Sequence, residues 1–491
     1  MKGVFWILVL LLVGCATQPS PRPGSEAALC LDAFTTFDAA VEEAMVRDQG
    51  APQVPGFPYL RINRFLASFT GEIDSAARFE AWVERLARLD REARHHELAN
   101  LPLQKQAALK ALSPGEELHT ALEQCRNTLL ALELATPTSQ QQLRTAARVP
   151  DDYVTGWRVM GLYPLSGLFV AAGVRGWHRE VRENFALPLA ELPMAGSAVA
   201  WLPPQGERLT TAEVAALLRS SADNPLGLPE PGDREQTLLF ASFAPQWLID
   251  TADENDRPGT PVWGGDNTDL PGIDTSQPTL YRRLSYTRFN GRVLLQLNYI
   301  IWFKARPPQD GVDIYAGRLD GINFRVTLGP DGRPLLYDTI HNCGCYHKFF
   351  PVAPLQLRPE AASLPEPPMV PQILARAGGT PLIHVASRTH FIRRLEFTPL
   401  PEGKHYRWDD YQQLRSLPLA DGSHRSLFGG EGIVPGSERS ERFLLWPMGV
   451  RSPGAMRQWG RHPTAFLGRR HFDEPFLIEK LFEPDSSGRT K

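Results

Sequence analysis

The sequence predicts an α+β protein, with an N-terminal helical domain followed by a larger, mostly antiparallel β-rich region. Between residues 27 and 148, apolar side chains recur at helical spacing, whereas from residue 280 to 491 the dominant period is two. The chain also contains 44 prolines and 40 glycines, which favours turns and long connections over a bundle of long helices. The stretch 149–279 between these regions has a mixed α/β pattern.

The first fifteen residues are typical of a processing signal. Lys2 precedes a short apolar run, Val4–Val13, and the segment closes with Leu12–Cys15, which reads LVGC. This ending resembles the lipobox of bacterial lipoproteins, and the run is too short for a stable transmembrane helix. The resemblance implies a signal peptide over 1–14 that is removed by cleavage. It also implies a lipidated Cys15 that begins a flexible tether over 15–26.

The same resemblance predicts that the protein is anchored at the outer membrane and faces the periplasm. Ala16 follows Cys15. In enterobacterial lipoproteins an Asp at that position favours retention at the inner membrane, so an Ala favours the outer membrane. The acyl chain on Cys15, such as palmitate, makes the membrane the first predicted partner. The net charge of −3 gives no reason to expect binding to nucleic acid.

The helical domain carries two of the four cysteines that remain after Cys15. Cys30 lies on an apolar stripe with Phe34 and Phe37, and Cys125 lies on a second stripe with Leu122. Both cysteines therefore face a core, and the envelope is an oxidising compartment. We predict a Cys30–Cys125 disulfide, in a domain whose outer face could also bind another envelope protein.

Two segments of the mixed region are ambiguous. Val159–Val174 is mostly apolar but contains a proline and three glycines, so we expect a buried irregular segment. The alternative is a contact with the membrane interface near the lipid anchor. Gln236–Asp250 is predicted to form one or two strands.

The β-rich region contains two hairpin signals. Asn290-Gly291 separates two alternating runs, and the turn residues of Gly329–Gly332 separate two more. Leu382–Ala386 and His390–Phe397 are predicted as a further pair of strands. A basic, aromatic-containing segment, Arg457–His471, follows; we expect a solvated face there, with contact to an anionic envelope surface as the alternative.

The most distinctive stretch is His341–His347, which reads HNCGCYH and begins where a predicted strand ends. Thiolate and imidazole are the preferred ligands of zinc and of copper(I), so His341, Cys343, Cys345 and His347 are candidate metal ligands. An extended strand would separate the two histidines by about 20 Å, so a turn at Gly344 is required. His384 and His390 are the candidates for an additional ligand.

Two alternatives to a metal site remain open. Cys343 and Cys345 could form a strained, easily reduced disulfide and act as a thiol–disulfide redox pair. The heptapeptide could instead be structural, in a non-catalytic envelope scaffold. The sequence contains no G-x-S-x-G, H-E-x-x-H or phosphate-binding motif, so it does not decide whether the protein is an enzyme or name a substrate.

Overall fold

The computed structural model describes residues 24–110, 116–264, 269–309, 311–375 and 378–484, and it is α+β as predicted. The predicted signal peptide, the lipidated Cys15 and most of the tether lie outside the described residues. The helices are α1 (Glu26–Glu43), α2 (Arg64–Ala67), α3 (Ala76–Asn100), α4 (Leu103–Lys110), α5 (Leu118–Glu133), α6 (Pro137–Ala146), α7 (Thr155–Met160), α8 (Tyr163–Ala186), α9 (Thr211–Ser221), α10 (Asp233–Phe243), α11 (Pro359–Ala362), α12 (Arg442–Leu445) and α13 (Leu477–Leu481).

Nineteen strands are assigned among the described residues, many of them short. They are β1 (Gln53–Val54), β2 (Phe57–Arg61), β3 (Ser197–Leu202), β4 (Gln246–Thr251), β5 (Pro258–Trp263), β6 (Pro271–Asp274), β7 (Thr279–Phe289), β8 (Arg292–Arg306), β9 (Gly317–Leu328), β10 (Pro334–His341), β11 (Lys348–Pro351), β12 (Leu355–Leu357), β13 (Leu382–Val385), β14 (Ile392–Glu396), β15 (Lys404–His405), β16 (Arg407–Asp410), β17 (Leu417–Pro418), β18 (His424–Arg425) and β19 (Phe482–Pro484).

The N-terminal helical region forms its own apolar core, as the helical spacing predicts. Phe34 and Phe37 of α1 are buried, and so are Leu122 and Leu129 of α5. The Cys30–Cys125 disulfide is confirmed, with the two α-carbons 4.9 Å apart. It joins α1 to α5 across 95 residues of sequence, so it ties together the two faces that the apolar stripes bring into contact.

The largest sheet is the antiparallel meander that the hairpin signals predict. Strands β7, β8, β9, β10 and β11 pair in that order, and β5, β6 and β16 complete an eight-stranded sheet. Asn290 and Gly291 both adopt positive φ, at 51° and 70°, which is the turn geometry that makes Asn-Gly a hairpin signal. The two predicted hairpins are therefore confirmed.

A second, five-stranded sheet covers one face of the meander. Its order is β14-β13-β4-β3-β15, and β13 and β14 are the strand pair predicted after the proline-rich connection. Trp247 and Ile249 of β4 pack against Tyr299 and Phe324 of the meander, and the rings of Trp247 and Phe324 lie 6.3 Å apart. These contacts form the main core between the two sheets.

Three local predictions are wrong. Gln236–Asp250 is only partly strand, because α10 occupies its first half and β4 its second. Val159–Val174 is not buried and irregular: it lies in α7 and α8, where the glycines are tolerated and many apolar side chains are exposed. The basic segment is not a solvated face at Arg457, Trp459 or His462, which are all buried.

Candidate functional site

The heptapeptide forms the loop between β10 and β11. The N–H of Gly344 donates to the carbonyl oxygen of His341 at 2.7 Å, and the N–H of His341 donates to that of Cys345 at 3.0 Å. Gly344 has a φ of +92°, so the turn predicted at this residue is confirmed. A Cβ atom at this position would also lie 2.6 Å from the carbonyl oxygen of Pro463. Glycine is therefore required for both backbone conformation and packing.

The loop places the two thiols of the motif against each other. Cys343 is buried, only 5% exposed, whereas Cys345 is half-buried, and neither forms a disulfide. The backbone N–H of Cys345 lies 3.4 Å from the sulfur of Cys343. The chain turn therefore achieves the proximity that an extended strand would not allow.

The surroundings shift the pKa values of the two thiols in opposite directions. Burial by itself raises the pKa of the Cys343 thiol, but the hydrogen bond from Cys345 and the charge of Arg439 outweigh burial and lower that pKa. The pKa of the Cys345 thiol is raised well above its ordinary value, because Cys345 donates to Cys343 and because burial disfavours its charged form. In the reduced pair, Cys343 is thus the sulfur that loses its proton more readily, and Cys345 is the sulfur that keeps it.

Two arginines that are distant in sequence hold this loop. The N–H of Arg457 donates to the carbonyl oxygen of Asn342 at 2.8 Å, and its guanidinium Nε donates to that of Cys343 at 3.1 Å. Arg439 donates to the backbone carbonyl oxygens of Gly454 and Leu319 and lies 3.4 Å from a carboxylate oxygen of Asp320. Both guanidinium groups are buried, so their positive charge acts on the thiols with little screening by water.

Glu441 is a buried carboxyl group whose charge acts on both thiols. Burial raises the pKa of its carboxyl to about 7, although three neighbouring arginines favour the charged form. Its charge in turn raises the pKa of both Cys343 and Cys345. A carboxyl group that titrates near neutral pH can both accept and return a proton during a reaction at the thiols.

Each histidine of the motif contacts a different carboxylate. His341 Nδ1 lies 3.2 Å from Asp320, and His347 Nε2 lies 2.8 Å from Asp338. Burial lowers the pKa of each of these two imidazoles to about 4, although each neighbouring carboxylate opposes the shift. Both rings are therefore neutral at pH 7.

The structure brings one of the two additional candidates to the motif. His390 Nδ1 lies 2.8 Å from the second oxygen of Asp320, so His341 and His390 share one carboxylate. Burial lowers the pKa of His390, but its hydrogen bonds with Asp256 and Asp320 outweigh burial and raise it. His384 lies elsewhere, on β13, with its ring 2.6 Å from Glu396.

The predicted four-residue metal coordination is not formed in this arrangement. Cys343 and Cys345 come together, but His341 and His347 are each engaged by a carboxylate on its own side of the loop. Across the described residues, no group of three or more His, Cys, Asp or Glu side chains is placed to hold a metal ion. The physical reason is reach, because one tight turn at Gly344 gathers its two flanking residues but not the ends of the motif.

The sequence analysis did not identify Asp320, Glu441, Arg439 or Arg457 as part of the site. Arg457 falls in the basic segment that was noted, but no spacing linked that segment to the heptapeptide. These four residues reach the loop only through tertiary packing of β9 and of the C-terminal segment. Comparisons with known protein families, with curated proteins and with solved structures found no match.

Lys348, the first residue after the motif, provides a prediction about pH. Its side chain is buried, with Nζ 5.4 Å from the ring of Trp177 and 5.2 Å from that of Phe391. Burial lowers the pKa of this amine from 10.5 to about 7, against the opposing charge of Glu180. Between these two pH values the unfolded chain binds more protons than the folded one, so this group makes stability rise with pH.

We expect Lys348→Met to raise the free energy of unfolding by about 2–3 kcal/mol at pH 6, where the burial of a charged amine is most unfavourable. This value allows for the lost attraction between the ammonium and the two rings. The gain should shrink as the pH approaches 10. Urea denaturation of both proteins at pH 6 and pH 9 measures the difference, and a gain that is equal at the two pH values would contradict the prediction.

Proposed function

We propose that Cys343 and Cys345 form a reversible dithiol–disulfide couple that exchanges disulfides with thiols in the cell envelope. The observation that supports this proposal is the turn at Gly344, which brings two free thiols together with the N–H of Cys345 3.4 Å from the sulfur of Cys343; the pKa values of the two thiols are also shifted in opposite directions. Only one residue separates the two cysteines, so a bridge between them would close a small, strained ring that is easily reduced.

The difference in exposure between Cys343 and Cys345 decides which sulfur of the disulfide is attacked and which sulfur leaves. In the disulfide form, an incoming substrate thiolate attacks the more accessible sulfur of Cys345. The bond between the two protein sulfurs breaks, and Cys343 leaves as the thiolate that its surroundings stabilise. A low pKa makes a better leaving group, so the lowered pKa of Cys343 suits departure, and its burial limits attack on this sulfur.

A second substrate thiolate completes the exchange. It attacks the substrate sulfur of the mixed disulfide, and Cys345 leaves and takes up a proton because its pKa is the raised one. Two substrate thiols thus become one disulfide, while the protein ends with one thiol, one thiolate and one released proton. Glu441, with a pKa of about 7, is the candidate acceptor of that proton.

The proposed location is the outer membrane, through a lipidated Cys15, with the folded part in the periplasm. An oxidising compartment suits a thiol oxidant, and the Cys30–Cys125 disulfide fits such a compartment. Cys15→Ser should leave an unprocessed precursor in the producing cell, and a variant that still matures would contradict the lipid anchor.

The couple is tested by equilibrating the full-length protein in glutathione buffers and counting free thiols by alkylation and mass spectrometry. We expect Cys343 and Cys345 to oxidise together, with a reduction potential between about −120 and −270 mV, the range of proteins that exchange disulfides. The Cys30–Cys125 disulfide serves as an internal control that stays oxidised in the same buffers. Cys343→Ser and Cys345→Ser should each abolish transfer of a disulfide to a reduced peptide.

Two results would contradict the redox proposal. Thiols that stay reduced in the most oxidising glutathione buffer would show that the pair does not form a disulfide. Stoichiometric zinc or copper in the purified protein, lost in the Cys343→Ser/Cys345→Ser double variant, would instead support the metal-binding function, since both sulfurs are soft ligands. If neither couple nor metal is found, the structural role in an envelope scaffold is favoured.

A further inference from the structure

Two neighbouring segments expose a concentration of large apolar side chains. Of the nineteen exposed large apolar side chains among the described residues, nine lie on or beside α7, the first half of α8 and α12. Phe169 is 81% exposed and Phe443 is 67% exposed. We call this set the apolar patch; its members are Val159, Met160, Leu162, Leu165, Leu168, Phe169, Phe443, Leu444 and Trp446.

The patch is one surface, because its two segments are in direct contact. The guanidinium of Arg158 donates to the carbonyl oxygen of Met448 at 2.8 Å, and the N–H of Val154 donates to that of Gly449 at 2.7 Å. A Cβ atom on Gly161 would lie 2.4 Å from the Cβ of Pro447, so the α7–α8 junction touches the turn after α12.

The two segments that carry the patch contain arginines and no carboxylates, and the nearest acidic residues in sequence, Asp152, Glu180, Glu441 and Asp473, lie just outside them. Residues 153–179 contain three arginines and no Asp or Glu, and residues 442–472 contain six arginines and no Asp or Glu. Arg175 and Arg179 are exposed on α8, beyond Phe169, and Arg442 lies at the start of α12 beside Phe443. None of these three arginines forms an ion pair with a carboxylate in the described part of the chain.

We propose that the apolar patch docks on an anionic phospholipid membrane. Its apolar side chains would enter the boundary between head groups and acyl chains, and its arginines would contact the lipid phosphates. Within the described residues, no helix is long and apolar enough to cross a membrane, so the contact we infer lies along the surface.

Charge distinguishes the membrane from the other occupants of such a surface. Soluble monomers rarely expose a contiguous apolar patch of this kind without a partner. A second copy of the same chain would bring its own unpaired arginines against these, which is unfavourable. An anionic bilayer offers both an apolar layer for Leu168 and Phe169 and negative charge for Arg175 and Arg179.

Hydrogen–deuterium exchange on the full-length protein tests this proposal. The protein is reconstituted in vesicles of phosphatidylglycerol with phosphatidylethanolamine, and separately in vesicles of phosphatidylcholine alone. The proposed lipid on Cys15 would attach the chain to both kinds of vesicle in the same way, so the difference between them reports on the patch. We expect slower exchange in peptides covering 155–175 and 442–448 in the anionic vesicles only.

Two double substitutions, one in the patch and one elsewhere on the surface, test whether the patch is the protected site. Leu168→Ser/Phe169→Ser should remove the protection, whereas Leu103→Ser/Leu132→Ser, which changes two exposed leucines of the helical region, should retain it. Because an arginine near an anionic surface strengthens binding roughly fivefold, Arg175→Gln/Arg179→Gln should lower the equilibrium constant for docking of the patch roughly 25-fold, which is measured as lost protection in the anionic vesicles. Added salt should act in the same direction.

Three outcomes would overturn the proposal. Equal exchange in the two kinds of vesicle would show that anionic lipid is not recognised. Protection that follows protein concentration rather than lipid would show that a second copy covers the patch. Protection that survives Leu168→Ser/Phe169→Ser would place the contact elsewhere on the protein.

Discussion

Asp90→Asn is expected to lower the free energy of unfolding by about 3–5 kcal/mol. Asp90 lies on α3 and is completely buried. Its carboxylate accepts from Arg61 at 3.3 Å, from Arg94 at 2.9 Å and from Arg126 at 2.7 Å. Asp90→Asn removes the one negative charge to which all three guanidinium groups donate. Each guanidinium keeps a second carboxylate, Glu97 for Arg61, Asp38 for Arg94 and Glu123 for Arg126, but three buried charge-assisted hydrogen bonds are weakened at once.

The pH dependence follows from the same cluster. Burial raises the pKa of Asp90, but the three arginines outweigh burial and lower it. The folded carboxyl therefore contributes stability that is complete above its unfolded pKa of 3.8 and is lost as the pH falls through the lower folded value.

Urea denaturation followed by circular dichroism at pH 7 measures the effect of Asp90→Asn. The control is Glu84→Gln on the same helix, because Glu84 pairs with Arg91 at the solvent-exposed surface. That change should alter stability by less than about 1 kcal/mol. Similar effects of the two substitutions would show that the Asp90 cluster does not stabilise the helical region.

Cys30→Ser/Cys125→Ser is expected to lower the free energy of unfolding by about 4–5 kcal/mol. The disulfide closes a loop of 95 residues, and a cross-link of this length removes much of the conformational entropy of the unfolded chain. Cys30 is also buried against Phe34, so a serine hydroxyl at that position adds an unfavourable polar contact.

Calorimetry of the variant and of the unmodified protein measures this change. Cys343→Ser/Cys345→Ser is the matched control, because a bridge between these two cysteines would close a loop with only one intervening residue, so its removal should lower stability far less. Restoring the unmodified protein's stability with oxidant after reduction would confirm that the bond itself is responsible. A variant as stable as the unmodified protein would contradict the entropic account of this disulfide.

The sequence by itself determined the elements whose signals are local. Helical spacing predicted the N-terminal helices, and the shared stripes of Cys30 and Cys125 predicted their disulfide. Asn290-Gly291 and Gly329–Gly332 predicted the two hairpins, because turn residues and alternation act over a few neighbouring residues. The turn at Gly344, and with it the proximity of Cys343 and Cys345, also followed from the residues of the motif.

Only the tertiary structure decided what surrounds those two cysteines. The carboxylate of Asp320 contacts both His341 and His390. Arg439 and Glu441 lie more than ninety residues after the motif in sequence, so no spacing in the sequence linked them to it. The tertiary structure also decided that the side chain of Phe169 is exposed. Composition favoured burial of an apolar segment, but whether a helix face is covered depends on which elements pack against it.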